Sequence, residues 1–367
     1  MFKQNYKIMK ISSINNNFVP NKLNSINNSY SFRPVSNFAC DTLQIKNKEV
    51  SFNGLFEKKK LKKEANGYLQ TAQNLKKESR FILGGSDFTK YHARVALSIS
   101  KNIKVSAKNQ FPYFKNLLDN ATDNESLLSE NGVLKCRVVK QDDKIIASTF
   151  DPLKGINTFV YDLDGNLLTY YDSLKNTTDG IESKMKVEFS NGEIVEFDED
   201  YIEMPNGIEK STKHFSFDSG FISTAYLGYK KDSDETGQII ADECYKYKNN
   251  FINSYFKNYS LSQQSIQCSE REFDFEQGFV GPRIAGYKEN SGMKNGKVFG
   301  DYIYKFKDGK LISVAISQRV KSSNVEEKAK YFDYDENEKP IHFFANGGCL
   351  NDCFNYWDES IDLRGLF

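Results

Sequence analysis

The fold class is decided by the stretch Met185-Lys-Val-Glu-Phe-Ser-Asn-Gly-Glu-Ile-Val-Glu-Phe197. Before its Asn-Gly pair, apolar residues alternate with charged ones, and a second apolar-rich arm follows the pair. Alternation with a period of two is typical of a β-strand that has one face in a core and the other in water. Asn-Gly suits the two positive-φ positions of a type I′ turn, which matches the twist of paired strands. The stretch therefore predicts an antiparallel β-hairpin.

Similar turn signals recur over the following part of the chain. They stand at Asp164-Gly165, Asn206-Gly207, Asn295-Gly296 and Asp308-Gly309, with less regular turns at Asp142-Asp143 and Asp335–Glu338. The flanking segments alternate in the same way, which is the pattern of a series of hairpins. The fold class predicted is α+β, predominantly an antiparallel β meander of short hairpins. It is divided into a first lobe over residues 132–232 and a second over residues 263–348.

One amphipathic helix is predicted between the two lobes, over residues 233–262. Its apolar residues follow one another at intervals of three and four, the spacing of one helix face. The residues in this pattern are Ile240, Cys244, Tyr247, Phe251, Tyr255 and Tyr259. We expect this helix to pack across a sheet face or between the lobes.

A basic, mixed helical segment is predicted over residues 51–131. Within it an amphipathic helix over residues 56–78 is indicated by the spacing of Leu61, Ala65, Tyr68, Ala72 and Leu75. Two structures remain open beyond residue 80. Alternation over residues 95–105 favours a hairpin, whereas a cap at residues 86–87 favours a helix that continues to about residue 100.

The two ends of the chain differ in character. Residues 1–50 are basic and rich in Asn and Ser, and they cannot bury enough apolar area to offset their ordering entropy, so they are predicted to be disordered. The tail over residues 349–367 is apolar enough to dock on the body. The leader closes on Ser51-Phe52-Asn53-Gly54 and resembles leaders of uncharacterised proteins from AT-rich gut bacteria. That resemblance implies a bacterial protein and no particular activity.

The net charge of +1 hides an asymmetry. Residues 1–115 hold 21 Lys and Arg against 6 Asp and Glu, whereas the rest of the chain holds 29 against 43. Such a split indicates that the two parts attract each other or that each meets a different partner. We expect intramolecular attraction between them.

The bulk composition predicts a soluble cytoplasmic protein. No stretch approaches the roughly 18 apolar residues of a membrane span, and residues 1–9 hold no apolar core of signal-peptide length. Six cysteines are spread widely, so reduced thiols are expected. Aromatic residues make up 14% of the chain, which indicates a core built largely from rings.

Three segments resemble known hairpin repeats. Tyr161-Asp-Leu-Asp-Gly-Asn-Leu167 is similar to the core of a YD-type repeat, in which an aromatic-Asp pair precedes a Gly turn. Tyr304-Lys-Phe-Lys-Asp-Gly-Lys-Leu311 resembles a variant of the MORN repeat, and Tyr331-Phe-Asp-Tyr-Asp-Glu-Asn337 resembles a degenerate third copy. The resemblance implies stacked hairpins that serve as scaffolds or binding surfaces rather than as catalysts.

The candidate site residues are few. Cys349 follows two glycines, where a helix start would lower the pKa of a thiol, and His342 lies seven residues upstream as a candidate base. An anion-binding segment is indicated by Lys58, Lys59, Lys60, Lys62 and Lys63. The three histidines are far apart in sequence, so no metal site is predicted. No phosphate loop or dinucleotide motif is present, so no cofactor is expected.

Three functions are compatible with these features. The first is a non-enzymatic binding or scaffold protein that presents an aromatic-rich sheet surface to a protein or glycan partner. The second is a hydrolase-type enzyme with a site between the two β lobes. The third is an adaptor for an anionic surface or nucleic acid through residues 58–80, although only Tyr68 stands among those lysines to stack a base.

Overall fold

The computed structural model describes residues 53–152, 155–232, 237–276, 284–294, 297–320, 326–327, 330–345 and 359–364. The predicted disordered leader over residues 1–50 lies outside them, as do residues 349–358 and 365–367 of the predicted docking tail. The described part consists of one long helix followed by one sheet of 20 strands. The predicted α+β class with an antiparallel meander is therefore confirmed.

Helix α1 runs from Asn53 to Asp119 and has 67 residues, a length of roughly 100 Å. The helix predicted over residues 56–78 is thus correct but too short, because the same apolar spacing continues through residues 81–119. The hairpin alternative for residues 95–105 is wrong. Val95 and Val105 are exposed on the helix surface, and Ile103 is buried.

The buried side of α1 follows a seven-residue period. From residue 65 to residue 107, every seventh residue is a buried alanine or serine: Ala65, Ala72, Ser79, Ser86, Ala93, Ser100 and Ala107. Larger apolar residues, among them Leu75, Ile82 and Ile103, fill positions between them. A heptad of this kind keeps one narrow stripe of the helix against its partner. The small side chains allow the sheet to approach the helix backbone closely.

The strands follow α1 in chain order. They are β1 (Glu125–Glu130), β2 (Val133–Gln141), β3 (Lys144–Asp151), β4 (Gly155–Asp162), β5 (Leu167–Asp172), β6 (Lys175–Thr177), β7 (Gly180–Ser190), β8 (Glu193–Glu203), β9 (Glu209–Asp218), β10 (Phe221–Lys231), β11 (Ile239–Lys248), β12 (Phe251–Leu261), β13 (Gln267–Phe275), β14 (Ile284–Lys294), β15 (Lys297–Lys307), β16 (Lys310–Val320), β17 (Glu326–Glu327), β18 (Lys330–Tyr334), β19 (Pro340–Ala345) and β20 (Glu359–Asp362). Each strand pairs antiparallel with its neighbour along the chain, except that β5 pairs with β7 beyond the short β6, and β16 with β18 beyond β17.

The predicted turns connect these strands. Asn191 and Gly192 have φ angles of 50° and 75°, and Asp308 and Gly309 have 51° and 73°, as a type I′ turn requires. The pair at residues 295–296 lies outside the described residues.

The helix predicted over residues 233–262 is wrong. Residues 239–248 and 251–261 form β11 and β12, joined by Asn249 and Asn250 with φ angles of 52° and 64°. The apolar residues that suggested one helix face lie on both faces of the sheet. Tyr247 and Tyr255 face α1, whereas Cys244 and Tyr259 belong to a separate cluster on the other face. The sheet continues without a break from β10 to β13, so the two predicted lobes form one body.

Helix α1 crosses the strands, and tyrosine hydroxyls bind it at three places. Each hydroxyl donates to a helix carbonyl oxygen: Tyr161 to Ala107 at 3.1 Å, Tyr247 to Ser86 at 3.3 Å and Tyr334 to Ala65 at 2.9 Å. The acceptors are 21 residues apart, about 31 Å along a helix. The donors lie on β4, β11 and β18, six strand-to-strand steps apart in both intervals, which is about 29 Å. The helix rise and the strand spacing therefore match over the sheet.

Aromatic side chains fill the space between sheet and helix. They include Phe159, Phe197, Phe215, Tyr245, Phe273, Tyr287, Tyr304 and Phe332, all buried. The rings touch from strand to strand, with Phe273 and Tyr287 4.8 Å apart and Tyr287 and Tyr304 5.8 Å apart. The expected core of rings is thus the layer beneath α1.

The helix and the sheet carry opposite net charges. Residues 53–119 carry 14 Lys and Arg against 5 Asp and Glu, and the sheet region is acidic. Among the described residues, the ion pairs that join them include Lys76 to Glu338 at 2.5 Å and, with the opposite polarity, Glu78 to Arg271 at 2.6 Å. Apolar packing accounts for most of the described contact.

Two adjacent glycines test which side of α1 faces the sheet. A Cβ on Gly84 would meet nothing within 4 Å, whereas one on Gly85 would lie 2.7 Å from Tyr245 Oη. Gly84→Ala is expected to raise the free energy of unfolding by about 1 kcal/mol through helix propensity. Gly85→Ala is expected to forfeit that gain, because Tyr245 must shift. Urea denaturation measures both, and equal stabilisation by the two variants would contradict the helix orientation.

Candidate functional site

The structure does not bring the predicted site residues together. Lys58, Lys59, Lys60, Lys62 and Lys63 lie near the start of α1. His342 lies on β19, half-buried, with Asp333 and Asp362 opposite it on the neighbouring strands. Cys349 and the two glycines before it lie outside the described residues.

One of these lysines lines a cleft. Lys62 faces the turn between β18 and β19 across a cavity of about 270 Å³, whose other walls include Glu338 and Arg364. The volume lies below the roughly 300–1,000 Å³ of most small-molecule sites. Glu338 is occupied by Lys76 Nζ and by the backbone N–H of Leu311, at 2.5 and 2.7 Å.

The described cysteines are unsuited to nucleophilic chemistry. Cys136, Cys244 and Cys268 are free. Burial raises the pKa of Cys136 to about 11 and that of Cys244 to about 12, so both are thiols rather than thiolates at neutral pH.

The side of α1 that faces away from the sheet exposes large apolar residues. Phe81 is 82% exposed, Phe88 57%, Tyr91 64% and Val95 40%. They follow one another at intervals of seven, three and four residues, so they share one side of the helix. We call these four residues the outer stripe. Exposed aromatic side chains in such a group are unusual, because a soluble surface normally scatters them singly.

Basic side chains surround the outer stripe. Lys77, Arg80, Arg94 and Lys101 are all exposed on the same part of α1. The nearby Asp87 carboxylate is paired with Lys90 at 2.6 Å. The outer side of the helix is therefore both apolar and positively charged.

The sequence contained a signal for this surface that the shorter predicted helix hid. When the heptad of buried small residues is extended to residue 107, it shows which side of the helix is buried. The residues of the outer stripe then lie on the opposite, exposed side. On the sheet, by contrast, the exposed large apolar residues include Phe221 and Phe251, each the first residue after a turn. Among the described residues, the outer stripe places four large apolar side chains on one side of the helix.

The sheet face opposite α1 holds a buried charged group around Lys186. Its Nζ lies 2.8 Å from Glu188 and 3.3 Å from Glu209, and it donates to the Tyr201 hydroxyl at 3.2 Å. Burial alone would lower the pKa of Lys186, but the two glutamates raise it. A fully paired lysine of this kind holds strands together and is not available as a base.

A second polar group on this face has the hydrogen-bond order of a hydrolase triad. His214 Nδ1 lies 2.8 Å from Asp198 Oδ1, and His214 Nε2 lies 3.1 Å from Ser216 Oγ. The strand register explains the arrangement, because Asp198 on β8 lies opposite His214 on β9. The ring of His214 stacks on Tyr229 with centroids 4.2 Å apart.

Two features argue against serine hydrolysis at this place. Asp198 and His214 are 3% and 4% exposed, which leaves no room for a substrate carbonyl at the imidazole. Burial alone would lower the pKa of His214, but the hydrogen bond to Asp198 and the charges of Asp198 and Glu196 raise it. This shift favours the imidazolium, which is the form that cannot accept the proton of Ser216.

Comparisons with known proteins assign neither family nor activity. Within the described part of the chain, no helix combines the length and apolar character needed to cross a membrane. No family model matches, and no curated protein matches. Among solved structures, the chain is similar to the crystal structure of a porin-like protein from Bacteroides uniformis ATCC 8492. The identity is 8%, covering 57% of this chain and 86% of that one, and the TM-score of 0.15 is too low for an inference about fold or function.

Proposed function

We propose that this chain is a non-enzymatic binding protein, in which a sheet of repeated hairpins holds a long helix, and that the outer stripe of this helix binds an acidic protein. The observation that carries the proposal is the group Phe81, Phe88, Tyr91 and Val95, exposed on one side of α1. Aromatic anchors are enriched at the centres of protein interfaces.

The repeat character of the sheet supports a scaffold role. β7, β9, β11 and β13 begin at residues 180, 209, 239 and 267, so one hairpin unit spans about 29 residues. A positive-φ residue stands three positions after a core residue in successive units, at Asp200, Gly228, Asn258, Asn290 and Ser317. This regularity favours the proposed kinship with YD-type or MORN-variant repeats, whose units stack into extended binding scaffolds.

The spacing of the stripe favours a protein partner. Residues 88, 91 and 95 stand at i, i+3 and i+7, the spacing by which a helix inserts its anchors into a groove. The surrounding Lys77, Arg80 and Arg94 favour acidic residues at the rim of that groove. A second copy of the chain would bring an equally basic helix to this surface, which like-charge repulsion opposes.

The test compares the wild-type full chain with a triple variant of the outer stripe and with a double control variant of the sheet. Phe81→Ser, Phe88→Ser and Tyr91→Ser together remove the aromatic anchors. The control pair Phe221→Ser and Phe251→Ser removes two rings from the sheet that are 57% and 48% exposed. Both proteins are first checked for unchanged circular dichroism. Proteins from the source cells that bind the wild type but not the stripe variant are then purified and titrated individually.

We expect an acidic protein that binds the wild type and the control alike but binds the stripe variant at least 100-fold more weakly, since such anchors each contribute about 2 kcal/mol or more. Its affinity should fall with added salt. The proposal is overturned if the stripe variant and the wild type retain the same proteins. It is also overturned if only vesicles of anionic lipid or a DNA duplex distinguish the two variants.

A further inference from the structure

Three potential metal ligands meet on the sheet face opposite α1. Phe197 and Phe215 point into the core beneath the helix, so their neighbours Glu196, Asp198 and His214 point to the other face. The ligand atoms of these three residues lie within 4.8 Å of one another. Two carboxylates and an imidazole are a donor set that suits Zn²⁺, Co²⁺ and Ni²⁺ better than Mg²⁺ or Ca²⁺.

The imidazole is held as metal-bound histidines usually are. One ring nitrogen, Nε2, is engaged by Ser216 Oγ at 3.1 Å, and the stacked Tyr229 ring fixes the plane. The other nitrogen, Nδ1, is directed at the carboxylates and lies 2.8 Å from Asp198 Oδ1, so a bound ion would replace the proton that this pair shares. A hydrogen bond to the nitrogen that does not bind the metal is the common means of orienting such a ligand.

The carboxylate of Glu196 supplies an independent observation. It is partly buried, yet it forms no hydrogen bond or ion pair with any residue that the structure describes. The nearby cation Lys186 is already committed to Glu188 and Glu209. Asp198 accepts a hydrogen bond from Ser211 at its Oδ1, at 2.9 Å. The Glu196 carboxylate is half-buried and uncommitted, so it is available to a bound cation, which would offset the cost of its partial burial.

We propose that Glu196, Asp198 and His214 form a binding site for one divalent transition-metal ion of the Zn²⁺ type. His214 Nδ1 and one oxygen of each carboxylate are the ligands, and water completes the coordination. The ion bridges β8 and β9, so it stabilises the hairpin pair at this position. Entry is from the side of Glu196, the most exposed of the three.

The experiment uses the full chain after treatment with EDTA and its removal. The background carries Cys349→Ser and Cys353→Ser, so that this cysteine pair cannot bind the probe. Co²⁺ is titrated while its visible d–d absorption is recorded, and Zn²⁺ is titrated by calorimetry. The variants are Glu196→Gln and His214→Gln, and the control is His92→Gln, whose Nδ1 lies 3.7 Å from Glu199 outside the cluster.

We expect one Co²⁺ or Zn²⁺ per chain, with affinity reduced at least tenfold in Glu196→Gln and His214→Gln and unchanged in His92→Gln. Loss of a ligand, or of the residue that orients it, typically lowers the metal affinity 10–100-fold. Glu196→Gln is the decisive variant, because this side chain forms no hydrogen bond or ion pair with the described residues and its replacement by an isosteric amide should leave the fold intact. Binding that is unchanged in it, or no binding by the parent at micromolar Zn²⁺, overturns the proposal. Failure of the partner-binding experiment on α1 has no bearing on this result.

Discussion

Phe273→Ala is expected to lower the free energy of unfolding by about 3–5 kcal/mol, the range for a large aromatic side chain removed from a packed core. Phe273 on β13 is fully buried. Its ring touches those of Tyr255 and Tyr287 on the neighbouring strands, at 6.2 and 4.8 Å. Because one row of rings continues across β12 to β15, the cavity would interrupt the layer beneath α1. Urea denaturation followed by circular dichroism measures the loss.

The matched control is Phe251→Ala. Phe251 begins β12 immediately after a turn and is 48% exposed, so the same atoms are removed without a comparable cavity. We expect a change within about 0.5 kcal/mol, as for surface substitutions generally. Similar losses in both variants would mean that the ring layer of the sheet is not the core.

The hairpins could be predicted from sequence because their signals are local. Asn191-Gly192 sets a turn by its own backbone preferences, and the residues on either side alternate over a few positions. Asn249-Asn250 performs the same role with less distinctive residues. Without that turn, the apolar spacing of β11 and β12 could be read as one helix face. Short apolar patterns cannot by themselves distinguish two strands with buried residues on both faces from a helix.

The candidate sites could not be predicted from the sequence, for a different reason. Glu196, Asp198 and His214 are up to 18 positions apart in sequence, and only the register of β8 against β9 brings them together. A register is fixed by the whole hairpin and not by the three residues themselves. The outer stripe of α1 depends equally on knowing which side of the helix is covered. The heptad from Ala65 to Ala107 contains that information, but it is spread over six heptads, which is about twelve helical turns.

Ala93→Asp is expected to lower the free energy of unfolding by about 3–5 kcal/mol, the cost of leaving a buried charge without a partner. Ala93 is 1% exposed and occupies one of the small positions of the heptad. A carboxylate there would lose its water and face the aromatic layer, while the remaining helix would still prefer to stay docked. The control is Ser98→Asp on the exposed side of the same helix, which should change stability by less than about 1 kcal/mol.

The same variant decides whether helix and sheet fold as one unit. In stacked repeats each hairpin is stabilised mainly by its neighbours, so the sheet could outlast an undocked helix. Here, however, the row of rings from Phe159 to Phe332 has α1 as its cover, and undocking would expose it to water. We therefore expect Ala93→Asp to weaken amide protection in β10–β12 together with that of the helix, and thermal unfolding to remain a single transition at a lower temperature. Loss of helix protection with unchanged protection in these strands would show that the sheet stands alone and that α1 is an attached arm rather than its core.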